Sequence, residues 1–170
     1  MFVAIVAVDN NWGIGKNGEL LFDIPEDKSF FRKMTSGHPV IMGRKTWDSL
    51  PVKPLKNRYS TVITRQWLNL DDTVDYCFVP MGAVINAIQK VKNRNCEHTD
   101  VFVIGGGQTY KELLPYCEKV YVTKIFADKP ADAFFLNLDM SGEWRICKES
   151  DIKVYNGIEY KFVEYERVHR

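Results

Sequence analysis

The sequence predicts a single α/β domain: a central, mixed, mostly parallel sheet flanked by helices and finished by a C-terminal antiparallel hairpin. Three observations carry this reading. Apolar runs of strand length recur along the chain, helical patterns fall between them, and an Asn-Gly pair near the end lies between β-rich arms. Unbroken apolar runs separated by helices are what strands covered on both faces require.

Taken in order, Phe2 to Val8 is wholly apolar and reads as a buried strand. Pro25, Glu26 and Asp27 make a favourable first helical turn, with Phe30, Phe31 and Met34 on the apolar face behind it. Val40-Ile41-Met42 is a short strand, and Gly43-Arg44-Lys45-Thr46 begins a helix after it. Tyr59 to Thr64 is the next strand, and Ala83, Ala87, Ile88 and Val91 give a helical face. Val101 to Ile104 is again a strand, followed by a helix with Tyr110, Leu113 and Leu114 on one side. Val120 to Ile125 alternates in part, and Asn156-Gly157 turns the final hairpin. With no repeat, linker or low-complexity tract, one domain over 1–170 is expected.

Composition narrows the function. The chain has 170 residues, 45% apolar, and 23 basic against 22 acidic side chains. No strong field recruits nucleic acid or an anionic membrane, so neither is an expected partner. The opening apolar run is too short to span a bilayer and lacks a basic flank and a cleavage site, so a cytoplasmic protein is expected; the sequence suggests no coiled coil or dimer face, so a monomer is the default. Cys77, Cys96, Cys117 and Cys147 form no close pair and the three histidines are scattered, so reduced thiols and no metal are expected.

Four segments carry chemistry. Gly105-Gly106-Gly107-Gln108 follows a strand and opens a helix, which suits either a pyrophosphate seat or a tight structural turn. Arg44, Lys45 and Arg65 stand at strand ends, where open α/β sheets bind ligands, and would suit a phosphate. Gly13, Gly15 and Gly18 lie in the polar stretch from Asp9 to Glu19, readable as a lid or as an irregular connection. Asp27, beside Phe30 and Phe31, either complements the helix dipole or faces an apolar pocket as a proton-transfer carboxylate.

Together these segments resemble dihydrofolate reductase. Ile5-Val6-Ala7-Val8, Gly13-Ile14-Gly15-Lys16-Asn17-Gly18, Ile24-Pro25-Glu26-Asp27, the run from Pro39 to Trp47, Ile63-Thr64-Arg65 and the run from Val103 to Tyr110 follow the family's order and spacing. The resemblance implies hydride transfer from NADPH to C6 of 7,8-dihydrofolate, with protonation at N5. It implies that Asp27 is the pocket carboxylate, and that Ile5, Val6, Ala7, Phe31, Leu50, Leu55 and Ile104 wall the pterin and benzoyl rings. Thr123 would support the carboxylate through water, and Arg58 would pair with the glutamate α-carboxylate. Arg44, Lys45 and Arg65 would read the adenosine 2′-phosphate. Gly105, Gly106, Gly107, Gln108 and Thr109 would take the pyrophosphate, across a cis Gly105–Gly106 bond. Ala7, Ile14, Gly15, Gly18, Leu20, Gly43, Thr46 and Thr64 complete the implied cofactor contacts. Asp132 fits a loop aspartate that touches the closed lid.

The chain departs from the family at two places. Phe22 stands where a tryptophan N–H usually holds a water, and Lys28 stands where an apolar residue is common. Two other readings share these features: a pyrimidine reductase of riboflavin synthesis, and a catalytically silent module binding pterin or nucleotide. Asp27 and Arg58 suit a pterin with a carboxylate tail better than a ribose phosphate.

Overall fold

The computed structural model describes residues 1–65, 74–78 and 99–168, with 74–78 described by their backbone alone. The elements run β1 (Phe2–Val8), β2 (Gly13–Lys16), β3 (Glu19–Leu20), α1 (Pro25–Thr35), β4 (Pro39–Gly43), α2 (Arg44–Ser49), β5 (Tyr59–Thr64) and β6 (Val74–Phe78). They continue with β7 (Val101–Gly105), α3 (Gly107–Leu113), a 3-10 turn (Leu114–Tyr116), β8 (Cys117–Ile125) and β9 (Ala133–Phe134). The chain then forms α4 (Leu138–Ser141), β10 (Trp144–Glu149), β11 (Lys153–Tyr155) and β12 (Ile158–Arg167). The helix read at Ala83–Val91 lies outside the described residues.

The main sheet has nine strands in the order β10-β12-β8-β1-β7-β4-β5-β6, with β11 paired to β12. From β8 to β6 every pairing is parallel, and β12 adds antiparallel neighbours at the other side. This is the mixed, mostly parallel sheet the sequence predicts. Asn156 and Gly157 both take positive φ (48° and 76°), the backbone that a tight two-residue turn demands.

Strand alternation divides the apolar side chains of β1 between two cores. Val3 and Ile5 join Val40, Met42, Val62 and Phe102 under α1. Ala4, Val6 and Val8 join Ile41, Val103, Tyr110 and Leu113 on the other face. The strand is thus covered on both sides, as its unbroken apolar run requires.

The polar stretch after β1 differs from a plain loop. β2 pairs with β3 and with β9, making a small three-stranded antiparallel sheet. Gly-Ile-Gly-Lys has no apolar alternation, and its partner β9 lies far along the chain, so local sequence carries no signal for this pairing. Asp9, 4% exposed, organises the turn by accepting from the N–H of Asn11 (2.9 Å) and of Gly13 (2.7 Å).

Candidate active site

The parallel strands deliver their carboxyl ends to one side of the sheet, which is where an open α/β fold binds ligands. Ala7 of β1 lies opposite Thr123 of β8, and Asp27 of α1 reaches Thr123. Thr123 Oγ1 donates to Asp27 Oδ1 at 2.6 Å. The contact is direct, where the resemblance implied one through water. Burial pushes the Asp27 carboxyl above the ordinary carboxylate value, opposed by the Thr123 hydroxyl and the Lys28 ammonium. Lys28 itself is exposed and tied to Asp23 at 2.7 Å.

The wall residues converge in part. Ile5, Phe31, Leu50, Leu55 and Ile104 belong to one apolar cluster beneath α1. Ala7 packs against a separate cluster of Ile24, Ile125 and Tyr160. The Val6 side chain does not join them; it lies in the core on the opposite face of β1, so only its backbone can border a ligand. Tyr110, read from sequence only as a helix-face residue, donates from its buried hydroxyl to the Ile5 carbonyl at 2.6 Å and pins that strand end.

Arg58 enters from the loop before β5. Its Nε donates to Thr35 Oγ1 (3.1 Å), Nη1 to the Lys56 carbonyl (2.6 Å) and Nη2 to the Arg32 carbonyl (3.2 Å). Its guanidinium lies 5.9 Å from the centroid of the Phe31 ring. Three of its five N–H groups are therefore spent on fixing its plane, and the rest form a fork suited to a carboxylate. Thr35, fully buried at the end of α1, is a positioning contact that no local motif announces.

The second half of the site is built from backbone. A Cβ on Gly43 would lie 2.6 Å from Thr109 Oγ1, and one on Gly105 or Gly106 would lie 3.3 Å from Thr46 Oγ1. The β4–α2 and β7–α3 junctions therefore approach closely, with the Thr46 and Thr109 hydroxyls standing where a Cβ would lie. The Gly105–Gly106 bond is cis, and Gly105 takes φ +129°, open to glycine. Gly107 and exposed Gln108 open α3 beside them. Gly43 pairs with Ile63, which brings Arg44, Lys45, Thr64 and Arg65 to neighbouring strand ends. Arg44 Nε reaches both Asp48 carboxylate oxygens at 2.8 Å, and Lys45 and Arg65 are exposed. Such a cradle, built largely of glycine backbone with threonine hydroxyls beside it and cations at its edge, fits an anionic nucleotide.

The small sheet closes over the junction. Ile14 is buried, whereas Leu20 is 70% exposed at the rim. Gly15 and Ala133 pair across it, and Gly18 turns β2 into β3 at φ +82°. Asp132 Oδ2 accepts from the Asn17 N–H at 2.8 Å, the loop contact expected of it. Lys129 adds two contacts the sequence did not announce: Nζ donates to the Leu21 carbonyl at 2.7 Å and lies 4.4 Å from the Phe22 ring centroid. Ala7, Ile14, Leu20, Phe22 and Ile125 line the opening beneath. Cys117 and Cys147, the cysteines with described side chains, are both free.

Comparison with known proteins gives a consistent result. A family model described as dihydrofolate reductase matches residues 1–167. A dihydrofolate reductase of Neisseria gonorrhoeae is 39% identical over 163 residues, covering 95% of this chain and 94% of that protein. One from Bacillus subtilis (strain 168) is 35% identical over 168 residues, covering 98% and 95%. One from Mycobacterium tuberculosis (strain ATCC 25618 / H37Rv) is 34% identical over 165 residues, covering 91% and 90%.

Proposed function

The chain belongs to the dihydrofolate reductase family, and from that premise we propose that it reduces 7,8-dihydrofolate to 5,6,7,8-tetrahydrofolate with NADPH. The observation that carries the reading is the partly buried Asp27, bonded to Thr123 at the carboxyl end of the sheet. When bound, NADPH supplies the hydride that arrives at C6, and solvent supplies the proton that arrives at N5. Asp27 holds the pterin by its 2-amino group and N3, and its charge favours the N5-protonated ring as hydride arrives. Low local dielectric strengthens that effect. Ile5, Phe31, Leu50, Leu55 and Ile104 exclude water and orient the rings, with Ala7, the Val6 backbone and Thr123 at the inner edge. Arg58 takes the glutamate α-carboxylate on its free N–H groups.

For the cofactor, Gly105 to Thr109 and Gly43 let the chain approach the pyrophosphate, and Thr46 and Thr64 border it. Ala7, Ile14, Gly15, Gly18 and Leu20 form the nicotinamide side. Arg44, Lys45 and Arg65 meet the 2′-phosphate, which selects NADPH over NADH. The enzyme acts as one domain over 1–170, as a cytoplasmic monomer on a small substrate, in keeping with its near-neutral charge. No helix among the described residues is long and apolar enough to cross a membrane.

The deciding experiment follows NADPH absorbance with purified protein. Loss that depends on dihydrofolate supports the proposal. Oxidation that requires a phosphoribosyl pyrimidine instead would identify the riboflavin-pathway reaction. Binding of pterin and NADPH without turnover would identify a silent module.

A further inference from the structure

The C-terminal hairpin grips the helix turn that carries Asp27. Glu26 and Asp27 are adjacent in α1, so their side chains leave the helix about 100° apart and meet different neighbours. Asp27 Oδ1 accepts from Thr123 Oγ1 of β8 at 2.6 Å, and Glu26 Oε2 accepts from the Tyr160 hydroxyl of β12 at 2.5 Å. β8 and β12 are paired neighbours, with Thr123 opposite Phe162 and Ile125 opposite Tyr160. Lys153 Nζ stands 2.9 Å from Glu26 Oε1, and Lys153 lies directly opposite Tyr160 across the β11–β12 ladder. One cross-strand pair of the hairpin therefore holds both oxygens of one carboxylate.

Of the two contacts, that of Tyr160 matters more. Lys153 and Glu26 are 40% and 48% exposed, so their ion pair is screened by water. Tyr160 is 2% exposed, and its hydroxyl would lose its acceptor without Glu26. At the helix start Ile24, the N-cap, makes no cap bond and Pro25 brings no N–H, while Lys28 is tied to the exposed Asp23. The first turn is located by Glu26 and Asp27, each tied by a hydroxyl to one of two adjacent strands.

We propose that Tyr160, acting through Glu26, is a positioning residue for Asp27: it fixes the rotation of the first turn of α1, so that the Asp27 carboxylate meets Thr123 and the substrate pocket together. This rests on the role given to Asp27 under the proposed function. The titratable and charged groups around the pair are Lys28 beside Asp27, Tyr110 from α3, Tyr160 from β12 and Lys153 from β11.

The test compares Tyr160→Phe, Asp27→Asn and the double variant, with Glu26→Gln and Glu26→Ala beside them. Tyr160→Phe keeps the ring and deletes the hydroxyl. It should lower kcat for dihydrofolate about 3–10-fold and leave NADPH affinity within about twofold, as expected for a misplaced reacting group. In the Asp27→Asn background it should have no further effect. Glu26→Gln, which still accepts from Tyr160, should keep more turnover than Glu26→Ala. Carbon-13 NMR of ligand-free protein supplies a readout independent of turnover. Asp27 should titrate at higher pH in Tyr160→Phe, because a loosened Thr123 bond favours its charged form less. Asp139, held by Lys124 and Tyr165, should not move. An unchanged Asp27 titration overturns the proposal, as does an equal kcat loss with and without Asp27. Wild-type protein that fails to reduce dihydrofolate would refute the reaction while the NMR comparison still decides whether Tyr160 positions Asp27.

Discussion

Replacing Asp27 by asparagine should move activity and stability in opposite directions. The side chain keeps its shape and an oxygen for the Thr123 hydroxyl, which now donates to Asp27 Oδ1 at 2.6 Å. It loses its charge. Positioned acid–base assistance is worth about 10²–10⁴-fold, or about 2.7–5.4 kcal/mol of barrier. Turnover at pH 7 should fall within that range and recover in part as falling pH protonates the substrate in solution. NADPH binding should be almost unchanged. Stability follows from the raised pKa of Asp27, whose main cause is burial. The native state keeps the proton to higher pH than the unfolded chain does, so the ionised carboxylate destabilises the fold. That destabilisation is absent below the ordinary value of 3.8, grows as pH rises through the folded value, and is complete above it. Asp27→Asn should therefore be more stable than wild type at pH 7, with the gap closing in acid. Each 1 kcal/mol of gain would read as about 2–4 °C in Tm for a chain of this size. Stopped-flow kinetics from pH 5 to 8 and denaturant melts at pH 7 and pH 3.5 check both arms. Wild-type turnover at pH 7, or a variant that is slow at every pH, would refute the catalytic assignment; a variant less stable at pH 7 would refute the electrostatic account.

The remaining predictions address the rest of the site. Arg44→Gln should raise KM for NADPH about tenfold or more, the value of one charge-assisted contact, and leave KM for NADH nearly unchanged; equal losses would remove the 2′-phosphate from its role. Arg58→Leu and a substrate lacking the glutamate α-carboxylate should each weaken binding, and their combination should cost little extra, as expected when both delete one interaction; calorimetric titration of the four pairings decides this. Phe22→Trp should change substrate KM or the pH profile without altering NADPH affinity, and Lys129→Met should blunt that change, because Lys129 lies over the ring at position 22; steady-state kinetics of the two variants and their combination would show whether the residues are coupled.

The parts of the fold legible in sequence are those whose cause is local. The run from Phe2 to Val8 reads as a buried strand because both of its faces meet apolar cores. Asn156-Gly157 reads as a hairpin because few other residues accept two positive φ angles in succession. The glycines at 43, 105 and 106 could be noticed, yet their need appears only where two junctions meet and Thr46 and Thr109 fill the space a Cβ would take. Contacts between remote residues of no unusual type leave no mark. Tyr160 is 134 positions from Glu26, Arg58 is 23 from Thr35, and Lys129 is 108 from Leu21. The β2–β9 pairing escapes for the same reason, since glycines and a lysine offer no alternation to read.

The central place of β1 sets the order in which this molecule can assemble. Its partners are β7 and β8, joined through registers such as Phe2 with Val101 and Ala7 with Thr123. A growing or refolding chain must hold an unpaired apolar strand until segments far downstream are present. Closure of so long a loop is entropically costly and high contact order slows folding. Asp27 has no Thr123 to meet, and Ile5 no Tyr110, until that pairing is made. Ligand-binding competence should therefore be among the last properties to emerge during refolding, arriving with β1 docking and not with the earlier local helices. The same waiting strand is the segment most exposed to misassociation in a crowded cell.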